Sequence, residues 1–429
     1  MLERFHISRT IPFSQKYSSK DPVVIDFCNE LWTDLPVDKT KKIQLKKECL
    51  VATLLNLRMG WNSCNYIRYS RDRNYYSSIP WRYNKEYFTY DIMCGILTGL
   101  NKNGYTIEYK GFKNPEDKCA QQTKIVATDE FTKSLKKITN EMIRYTEPTE
   151  LVVLHERRKG GIWKEYTDTE KIKRFRNDLK TYNELRQDTV FSIVGYNDIT
   201  EKCDLFLKDY ATNKVDNEIY LRNPYIYRVF NEDFKTGGRY YDGIESNMPK
   251  ILRNLLYING DKTIEKDFSG MHIRMLYNLK GENPRGNFYD DLSGDDPVLR
   301  NLYKLIALIS INAGSQKAVY KAIRNKTKNS ELKSLFPEKI TDDSIKFYYN
   351  IWLKAHSKIA EYFNSDIGVK LQYKDSLISS GVIKHFTGKG IPVLVIHDSF
   401  IVNDKYSAEL VEVMKKEYKK QLGYEPEIC

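Results

Sequence analysis

Two short strand-like runs, each meeting an aspartate, constrain this chain more than any other feature of its sequence. In residues 263–277 an alternation of polar and apolar residues runs up to Asp267 and then gives way to a helical period. In residues 393–402 two apolar runs meet at a polar turn that contains Asp398. The first pattern predicts a strand that leads into a helix, and the second predicts a tight hairpin with an acid at its tip.

A third strand is predicted beside the first. The Asn-Gly-Asp sequence at 259–261 is a strong turn signal between the strand-like runs 255–258 and 263–267. The chain would then carry Asp267 and Asp398 on one antiparallel sheet. Because Mg²⁺ prefers carboxylate oxygens and completes its octahedron with water and phosphate, two such aspartates suffice for two ions and a nucleoside triphosphate. For either acid taken alone, a solvated aspartate at a strand end is the alternative.

The residues around both acids match motifs of known polymerases. The first follows the pattern Asp-x-Ser-x-x-x-x-Arg with Asp267, Ser269 and Arg274. The second reads His-Asp-Ser-Phe from His397 to Phe400. These sequences resemble motifs A and C of the A-family DNA polymerases and of the single-subunit, bacteriophage-type RNA polymerases. Motif A has the DNA polymerase form, whereas motif C has the RNA polymerase form.

A helical segment between the two acids resembles motif B of the same superfamily. Arg300 and Lys304 precede the apolar run 305–311, which ends near Gly314. Cations at i and i+4 share one helix face, which suits them to neutralise the phosphates of a nucleotide. An ordinary amphipathic helix with two solvated cations is the alternative. The aromatic residue that the family carries before the glycine is missing, and Asn312 stands in its region.

Two further segments extend the resemblance. The sequence from Asp233 to Tyr241 contains Gly238 and Arg239 and resembles the Asp-x-x-Gly-Arg element of single-subunit RNA polymerases, with a longer spacing between Asp and Arg. Glycine lets the backbone approach a phosphate closely, and arginine can bind it with two hydrogen bonds. Gln372 lies in a predicted helix that runs into the second acid motif. It resembles a family glutamine that contacts template or primer.

The resemblance covers residues 233–402 and implies an α+β fold of the right-hand polymerase type, with an antiparallel palm, reduced fingers and a helical thumb. It implies two Mg²⁺ ions, which Mn²⁺ can replace, held by Asp267, Asp398 and the backbone carbonyl of Phe268. The implied nucleotide-binding residues are Arg300, Lys304, His272 and Arg274. The implied primer- or template-binding residues are His397, Arg239, Gly238, Gln372 and Gly314.

Three functions are consistent with these motifs. The favoured one is a DNA-templated nucleotidyltransferase, namely a DNA polymerase or primase-polymerase of a phage or mobile element. The alternative is a small single-subunit DNA-directed RNA polymerase, because His272 stands where A-family DNA polymerases carry the glutamate that excludes a ribose 2′-hydroxyl. A third, of another class, is an inactive polymerase-fold replication initiator or DNA-binding subunit.

Composition suits a nucleic-acid partner. The chain has 429 residues, a net charge of +12 and a pI near 9.0, which favour DNA template and primer as partners beside nucleoside triphosphates. The longest apolar runs, such as 391–396, fall far below the ~20 residues that span a membrane, so no membrane association is predicted. The seven cysteines are scattered without a Cys-x-x-Cys pair, so neither a zinc site nor disulfides are predicted. This cysteine usage predicts a cytoplasmic location.

The sequence predicts three domains. Residues 1–145 would form a winged-helix-like domain that binds DNA or a partner, with a helix at 89–103 between Thr89 and Gly104 and two strands after it. A packing module without a nucleic-acid role is the alternative.

The rest of the chain would form the polymerase. Residues 146–230 would form a thumb-like helical region, with Thr167 and Glu170 as a capping box, although a solvated helix face is an equally simple explanation of its charges. Residues 231–429 would form the palm, with a fingers insertion at about 290–345. The two acids are only 131 residues apart, so small fingers and dependence on an accessory protein subunit are expected.

Overall fold

The computed structural model describes residues 10–62, 66–114, 119–156, 161–197, 200–328, 330–337 and 340–429. The chain is a mixed α/β protein with several sheets, which agrees with the predicted α+β class. The helices are α1 (Pro22–Asp34), α2 (Ile43–Asn62), α3 (Arg73–Ser78), α4 (Tyr90–Lys102), α5 (Asp129–Leu135), α6 (Glu170–Gln187), α7 (Glu201–Tyr210), α8 (Ile244–Asn247), α9 (Lys250–Arg253), α10 (Met271–Leu279), α11 (Asp290–Ser293), α12 (Pro297–Asn312), α13 (Gln316–Thr327), α14 (Asp342–Ala355), α15 (Gly368–Thr387) and α16 (Ser407–Leu422).

The strands are β1 (Thr10–Pro12), β2 (Tyr17–Ser18), β3 (Tyr66–Tyr69), β4 (Thr106–Tyr109), β5 (Phe112–Asn114), β6 (Cys119–Gln121), β7 (Thr123–Ala127), β8 (Arg144–Tyr145), β9 (Val152–Glu156), β10 (Ile162–Trp163), β11 (Phe191–Val194), β12 (Ala211–Val215), β13 (Glu218–Leu221), β14 (Tyr227–Asn231), β15 (Gly237–Tyr241), β16 (Leu256–Ile258), β17 (Asp261–Asp267), β18 (Val393–Ile396) and β19 (Ser399–Asn403). None of the helices in the described ranges combines the length and apolar character that crossing a membrane requires. Cys64 and the side chain of Cys119 lie outside the described residues, and the other five cysteines are free thiols.

The chain divides into two compact units. The first comprises Met1–Arg228 and Tyr241–Thr263, and the second comprises Val229–Tyr240 and Ile264–Cys429. The domain boundary expected near residue 145 lies inside the first unit. The separate N-terminal and thumb domains therefore stay predictions.

The first unit contains a four-stranded sheet in the order β1-β3-β7-β4. Strands β1 and β3 are parallel, whereas β7 runs antiparallel to both of its neighbours. The predicted helix at 89–103 is α4, whose apolar positions recur at helical spacing and are buried. Thr89 occupies its N-cap position but makes no side-chain capping bond, and Gly104 follows with φ 74°.

A second sheet of the first unit contains β12, β13, β11 and β16 in antiparallel order. Helix α6 begins at Glu170, where the side chain of Thr169 accepts a hydrogen bond from Ile172 N. The capping box predicted at Thr167 is therefore wrong by two residues. The hydroxyl of Thr169 provides the same hydrogen-bond acceptor nearer the apolar residues of the helix.

The predicted Asn-Gly turn joins β16 to β17. Ile258 pairs with Asp261, and Asn259 and Gly260 adopt φ 51° and 79°. Two successive positive φ values are what a two-residue hairpin turn of right-handed twist requires, and asparagine and glycine tolerate them best. The turn determines the register of β17, and therefore which residue stands at its far end.

The second unit contains the end of β17, which lies beside β19, and β18 on the other side of β19. Strands β18 and β19 form the predicted hairpin, with Ile396 paired to Ser399 and only His397 and Asp398 in the turn. Helix α10 follows β17 directly, α12 packs against α13 and α14, and α15 packs against α16. The sheet edge with both acids therefore lies close to α10 and α15 in sequence and space.

Candidate active site

Asp267 is the last residue of β17, at the point where the strand turns into α10. Gly270 is the N-cap of α10 with φ 57°, a conformation that glycine adopts without strain. The backbone N–H of Phe268 donates to the carbonyl oxygen of Asp398 over 3.4 Å. The end of β17 and the tip of the β18–β19 hairpin are therefore neighbours.

Asp398 lies in the two-residue turn of that hairpin. The preceding His397 has φ 59°, which is uncommon for a residue with a side chain but is tolerated by histidine better than by branched residues. The hydroxyl of Ser399 donates to Glu265 Oε1 over 2.5 Å and so ties β19 to β17 next to the turn. The local sequence thus presents the second acid at the same sheet edge as the first.

Both acids line one pocket of ≈ 600 Å³, here called the two-aspartate pocket. It is lined by Arg239, Asp267, Phe268, Ser269, Gly270, Met271, His272, Ile273, Asn287, Tyr289, Arg300, Lys304, Ala307, Leu308, Ile311, Asn312, Gln372, Asp398 and Cys429. Among the described residues none donates a hydrogen bond to the side chain of Asp398, and Oδ1 of Asp267 is buried. Two carboxylates that line the same pocket fit a hard divalent cation.

The described residues contain no cluster of three or more His, Cys, Asp or Glu side chains with the geometry of a metal site. A cation here would therefore depend on Asp267, Asp398, a backbone carbonyl such as that of Phe268, and oxygens of water and substrate. Mg²⁺ sites in nucleotide enzymes are commonly of this kind, because Mg²⁺ retains several waters and shares substrate phosphates.

Helix α12 supplies the cationic wall of the pocket. Asp296 caps the helix by accepting from Val298 N and Leu299 N over 2.8 and 3.1 Å. The positions 300, 304 and 308 recur every four residues and line the pocket. On the opposite side of the helix the positions 302 and 306 are fully buried. The amphipathic period of α12 therefore orients Arg300 and Lys304 toward the acids.

Tyr289, which the sequence analysis missed, also lines this pocket. Its ring stacks on Trp352 at 6.0 Å between centroids, and the Arg300 guanidinium lies 5.8 Å from it. Burial raises the pKa of Tyr289 to about 12; the Asp398 charge adds to the rise and Arg300 opposes it. The phenol is therefore a protonated hydrogen-bond donor. A single tyrosine in a loop without a motif carries no sequence signal for this role.

Asp375 is a second residue that the motifs did not indicate. Its carboxylate is fully buried, accepts from Arg239 Nε over 2.9 Å, and lies 2.9 Å from His272 Nε2. Asp375 shares the buried face of α15 with Leu371 and Ile378 at i−4 and i+3. An acid on an otherwise apolar helix face is the signal that could have identified it.

The remaining predicted site residues are distributed differently. Gln372 and Arg239 line the pocket, whereas Gly238, Gly314 and His397 do not. Arg274 is 1% exposed and does not line the pocket. Its guanidinium donates to the carbonyl oxygens of residues 284 and 286 over 2.5 and 3.2 Å, and burial lowers its pKa. Arg274 thus holds the loop that precedes Tyr289.

The pocket therefore combines three groups of side chains. Asp267 and Asp398 form an acidic edge, Arg300 and Lys304 form a cationic wall, and His272 belongs to a partly buried hydrogen-bonded cluster. Such an arrangement can bind a polyanion through divalent cations on one side and guanidinium and ammonium groups on the other. The chain matches no protein-family model and no curated protein sequence.

Proposed function

We propose that the two-aspartate pocket is the active site of a DNA-templated nucleotidyltransferase, a DNA polymerase or primase-polymerase. One observation carries the proposal: Asp267 and Asp398 line the same pocket as Arg300 and Lys304, whose positive charges share one face of α12. Phosphoryl transfer needs chiefly positioning and charge neutralisation, and these four side chains provide both kinds of charge. The order of the polymerase-like motifs in the sequence supports the same function.

The chemistry would proceed at the acidic edge. The 3′-oxygen of a primer attacks the α-phosphorus of a nucleoside triphosphate, the bond from that phosphorus to the β-phosphate oxygen breaks, and pyrophosphate leaves. Mg²⁺, when bound, supplies charge neutralisation at the attacking and leaving oxygens. Asp267, Asp398 and the carbonyl of Phe268 would hold the ions. Arg300 and Lys304 would bind the β- and γ-phosphates, and the Tyr289 hydroxyl can donate a further hydrogen bond.

The finer domain assignments belong to the same proposal. The sheet edge with both acids would be a palm, α12 to α14 reduced fingers, and α6 part of a thumb. The exposed cations Lys173, Arg174 and Lys180 of α6 would then contact DNA phosphates. Helix α4 with β4 and β7 would form the winged-helix-like element. An accessory protein subunit would compensate for the small fingers.

A small single-subunit RNA polymerase is the second candidate, and His272 in the pocket wall favours it. Extension of a labelled primer on a DNA template with Mg²⁺, using dNTPs and NTPs in separate reactions, tests both candidates. We expect templated incorporation that EDTA abolishes. Absence of incorporation of either nucleotide by the folded protein, on primed and unprimed templates and with Mn²⁺ as well, would leave the inactive DNA-binding subunit as the better explanation.

A further inference from the structure

The β1-β3-β7-β4 sheet of the first unit has one face in the core and one face outside it. Ile67 and Ile125, which are directly paired, belong to the hydrophobic core together with residues of α2, α4 and α5. Successive side chains of a strand point to opposite faces, so the positions next to these residues project from the other face. This second face, here called the outer face, includes Arg68, Lys124 and Tyr109.

Arg68, Lys124 and Tyr109 form one row across β3, β7 and β4. Arg68 pairs with Lys124, and Lys124 pairs with Tyr109. Directly paired residues of antiparallel strands hold their Cβ atoms about 5 Å apart, so the three side chains are neighbours. The Lys124 ammonium lies 5.7 Å from the ring centroid of Tyr109 and 4.6 Å from that of Tyr66. The row therefore combines two cations with an aromatic ring.

The positive charge of this row is not neutralised by acids of the protein. Among the described residues no carboxylate forms an ion pair with Arg68 or Lys124. Glu108 is the one acid in the four strands, and it shares the core-facing side with its partner on β7, where it accepts from Arg71 Nε over 3.1 Å. Lys110, directly after β4, is exposed and adds a third positive charge. The outer face is therefore complementary to a polyanion.

Tyr109 offers a surface on which a base can stack. Its side chain is 37% exposed, and its ring contacts Tyr66 edge to face at 5.4 Å between centroids. This contact restrains the ring in one position. Phe112, three residues farther along the chain, is also exposed. Exposed aromatic rings beside cations are typical of proteins that bind single strands, because stacking and charge neutralisation do not require a particular base sequence.

Helix α4, the other candidate of this unit for contact with DNA, offers much less. Its exposed residues are Asp91, Gly95 and Lys102, which together carry no net charge, and its other positions are buried or half-buried. A four-stranded sheet is too wide for a DNA groove, which admits a helix or a two-stranded ribbon. The bases of a duplex stack on one another and leave no free surface for an aromatic ring. The outer face therefore fits a single strand better than a duplex.

We propose that the outer face binds single-stranded nucleic acid, with a base stacked on Tyr109 and phosphates at Arg68 and Lys124. The strand can be DNA or RNA, since stacking and phosphate contacts are common to both. The inference goes beyond the proposed function, because it assigns to the first unit a binding site that takes no part in the chemistry of the two-aspartate pocket.

Photo-cross-linking locates the strand on the unmodified protein. A short oligothymidylate that carries iodouracil in place of some thymines is irradiated with the full chain, without Mg²⁺ or nucleotides, and the attached peptides are identified by mass spectrometry. We expect attachment at Tyr109, because iodouracil reacts with an aromatic ring that stacks on it. An oligouridylate with the same label distinguishes RNA from DNA as the strand that is bound. Attachment of both oligonucleotides to the second unit alone would overturn the proposal.

Titrations at several salt concentrations separate the two kinds of contact. Lys124→Gln should lower the slope of log Kd against log salt by about 0.7, the value for one phosphate contact of a single strand. Tyr109→Ala should weaken binding of the oligothymidylate about tenfold and leave the slope unchanged, because it removes a stacking surface and no charge. Wild-type affinity and slope in both variants would contradict the proposal.

Two control variants make the same kinds of change elsewhere in the first unit. Lys102→Gln removes an exposed cation of α4, and Trp81→Ala removes an aromatic side chain that is 78% exposed and lies outside the sheet. Both should keep the wild-type affinity and slope. A lower slope in Lys102→Gln but not in Lys124→Gln would assign the contact to α4 and overturn the proposal. A thermal melt accompanies each variant, and the cross-link carries the test should Tyr109→Ala not fold.

Failure of this inference can be told apart from failure of the proposed function. Primer extension at saturating template should persist in Lys124→Gln and Tyr109→Ala. If the wild type extends a primer and the oligonucleotides attach only to the second unit, this inference alone is wrong. If extension is absent and the attachment at Tyr109 remains, the proposed function is wrong and the outer face still binds a strand. A folded chain that binds neither oligonucleotide would overturn the inference and leave an acidic protein segment as the better partner for the row.

Discussion

Two pockets of nearly equal volume, one in each unit, differ in how their polar groups are used. The two-aspartate pocket of the second unit has ≈ 600 Å³, and a pocket in the first unit has ≈ 590 Å³. The latter, here called the aromatic pocket, includes Phe13, Tyr83, Phe88, Trp163 and Tyr227 in its wall. The two pockets therefore have nearly equal volumes but walls of different composition.

Several polar side chains of the aromatic pocket bond to neighbouring side chains or to nearby backbone. Gln15 Nε2 donates to Asn84 Oδ1 over 3.0 Å, and Gln15 Oε1 accepts from Lys85 N over 2.8 Å. Lys16 forms an ion pair with Asp242 at 2.5 Å. In the two-aspartate pocket the Asp398 carboxylate and His272 Nδ1 have no such partners among the described residues. Polar atoms that have no protein partner can bind a ligand, and they identify a candidate site more clearly than the volume of the pocket does.

The largest effect on nucleotide incorporation is expected for substitutions of Asp267 and Asp398. Asp267→Ala or Asp398→Ala should lower nucleotide incorporation by about a thousandfold or more, because each removes a carboxylate that would hold the ions at the reacting oxygens. DNA affinity should change little, since the basic surface is untouched. Single-turnover primer extension and a DNA-binding titration measure the two quantities.

Asp404→Ala is the matched control, because Asp404 is an exposed acid directly after β19 that does not line the pocket. Its activity should match that of the wild type. Activity within tenfold of the wild type in either Asp267→Ala or Asp398→Ala would mean that the two-aspartate pocket is not distinguished from the aromatic pocket by a catalytic role.

His356 is a buried histidine and contrasts with the half-buried His272 of the two-aspartate pocket. In His356, Nδ1 lies 2.9 Å from the Tyr277 hydroxyl and Nε2 lies 3.3 Å from the carbonyl oxygen of Phe288. Both nitrogens thus have protein partners, and burial lowers the pKa of His356 to about 4, with the Phe288 carbonyl opposing the shift. In the unfolded chain the pKa of a histidine is near 6.5. Protonation of His356 between about pH 6.5 and pH 4 therefore favours the unfolded state.

The contribution of His356 to the free energy of unfolding should therefore be fully present above about pH 6.5 and be lost as the pH falls toward 4. The contribution of His356 reaches at most about 3 kcal/mol at the acid end of that window. Urea unfolding of the wild type and of His356→Gln at pH 7, 5.5 and 4.5 measures it. The wild type should lose more stability than the variant over this interval. Parallel pH dependence in the two proteins would contradict the structural role of His356.

Lys304→Ala tests the cationic wall. The variant should raise the nucleotide KM about tenfold and slow incorporation, because it removes a charge from the phosphate side of the pocket. Lys317→Ala, an exposed lysine at the start of α13 outside the pocket, is the control. If Lys304→Ala weakens DNA binding and leaves the nucleotide KM unchanged, Lys304 contacts DNA and the motif B resemblance has been misaligned.

Local patterns in the sequence predicted the elements that carry the acids. The Asn259-Gly260 turn, the two-residue turn at His397 and Asp398, and the period of α12 depend on interactions within a few residues. For this reason the sequence sufficed to predict both strand ends and the face of Arg300 and Lys304.

Non-local contacts could not be predicted in the same way. Tyr289 reaches the pocket through a loop that Arg274 holds, and Asp375 meets His272 across 103 residues of sequence. Arg274 was predicted to bind the nucleotide because its motif position suggested so, but no local pattern reveals whether a helix turns a side chain toward a pocket or toward a neighbouring loop. Long-range packing decides such cases.

The smallest effect is expected in the aromatic pocket. Trp163 is 39% exposed and contacts Tyr83 edge to face at 4.8 Å, so Trp163→Ala removes a large part of the pocket wall at little cost to the core. Because several polar groups there already bond to neighbouring groups of the protein, the change should leave nucleotide KM and incorporation within about twofold, near the size of ordinary surface substitutions. The same primer-extension assay measures it, with a melt as the folding control. A large rise in nucleotide KM in a folded Trp163→Ala protein would show that the aromatic pocket takes part in nucleotide binding, and the contrast drawn from polar groups would fail.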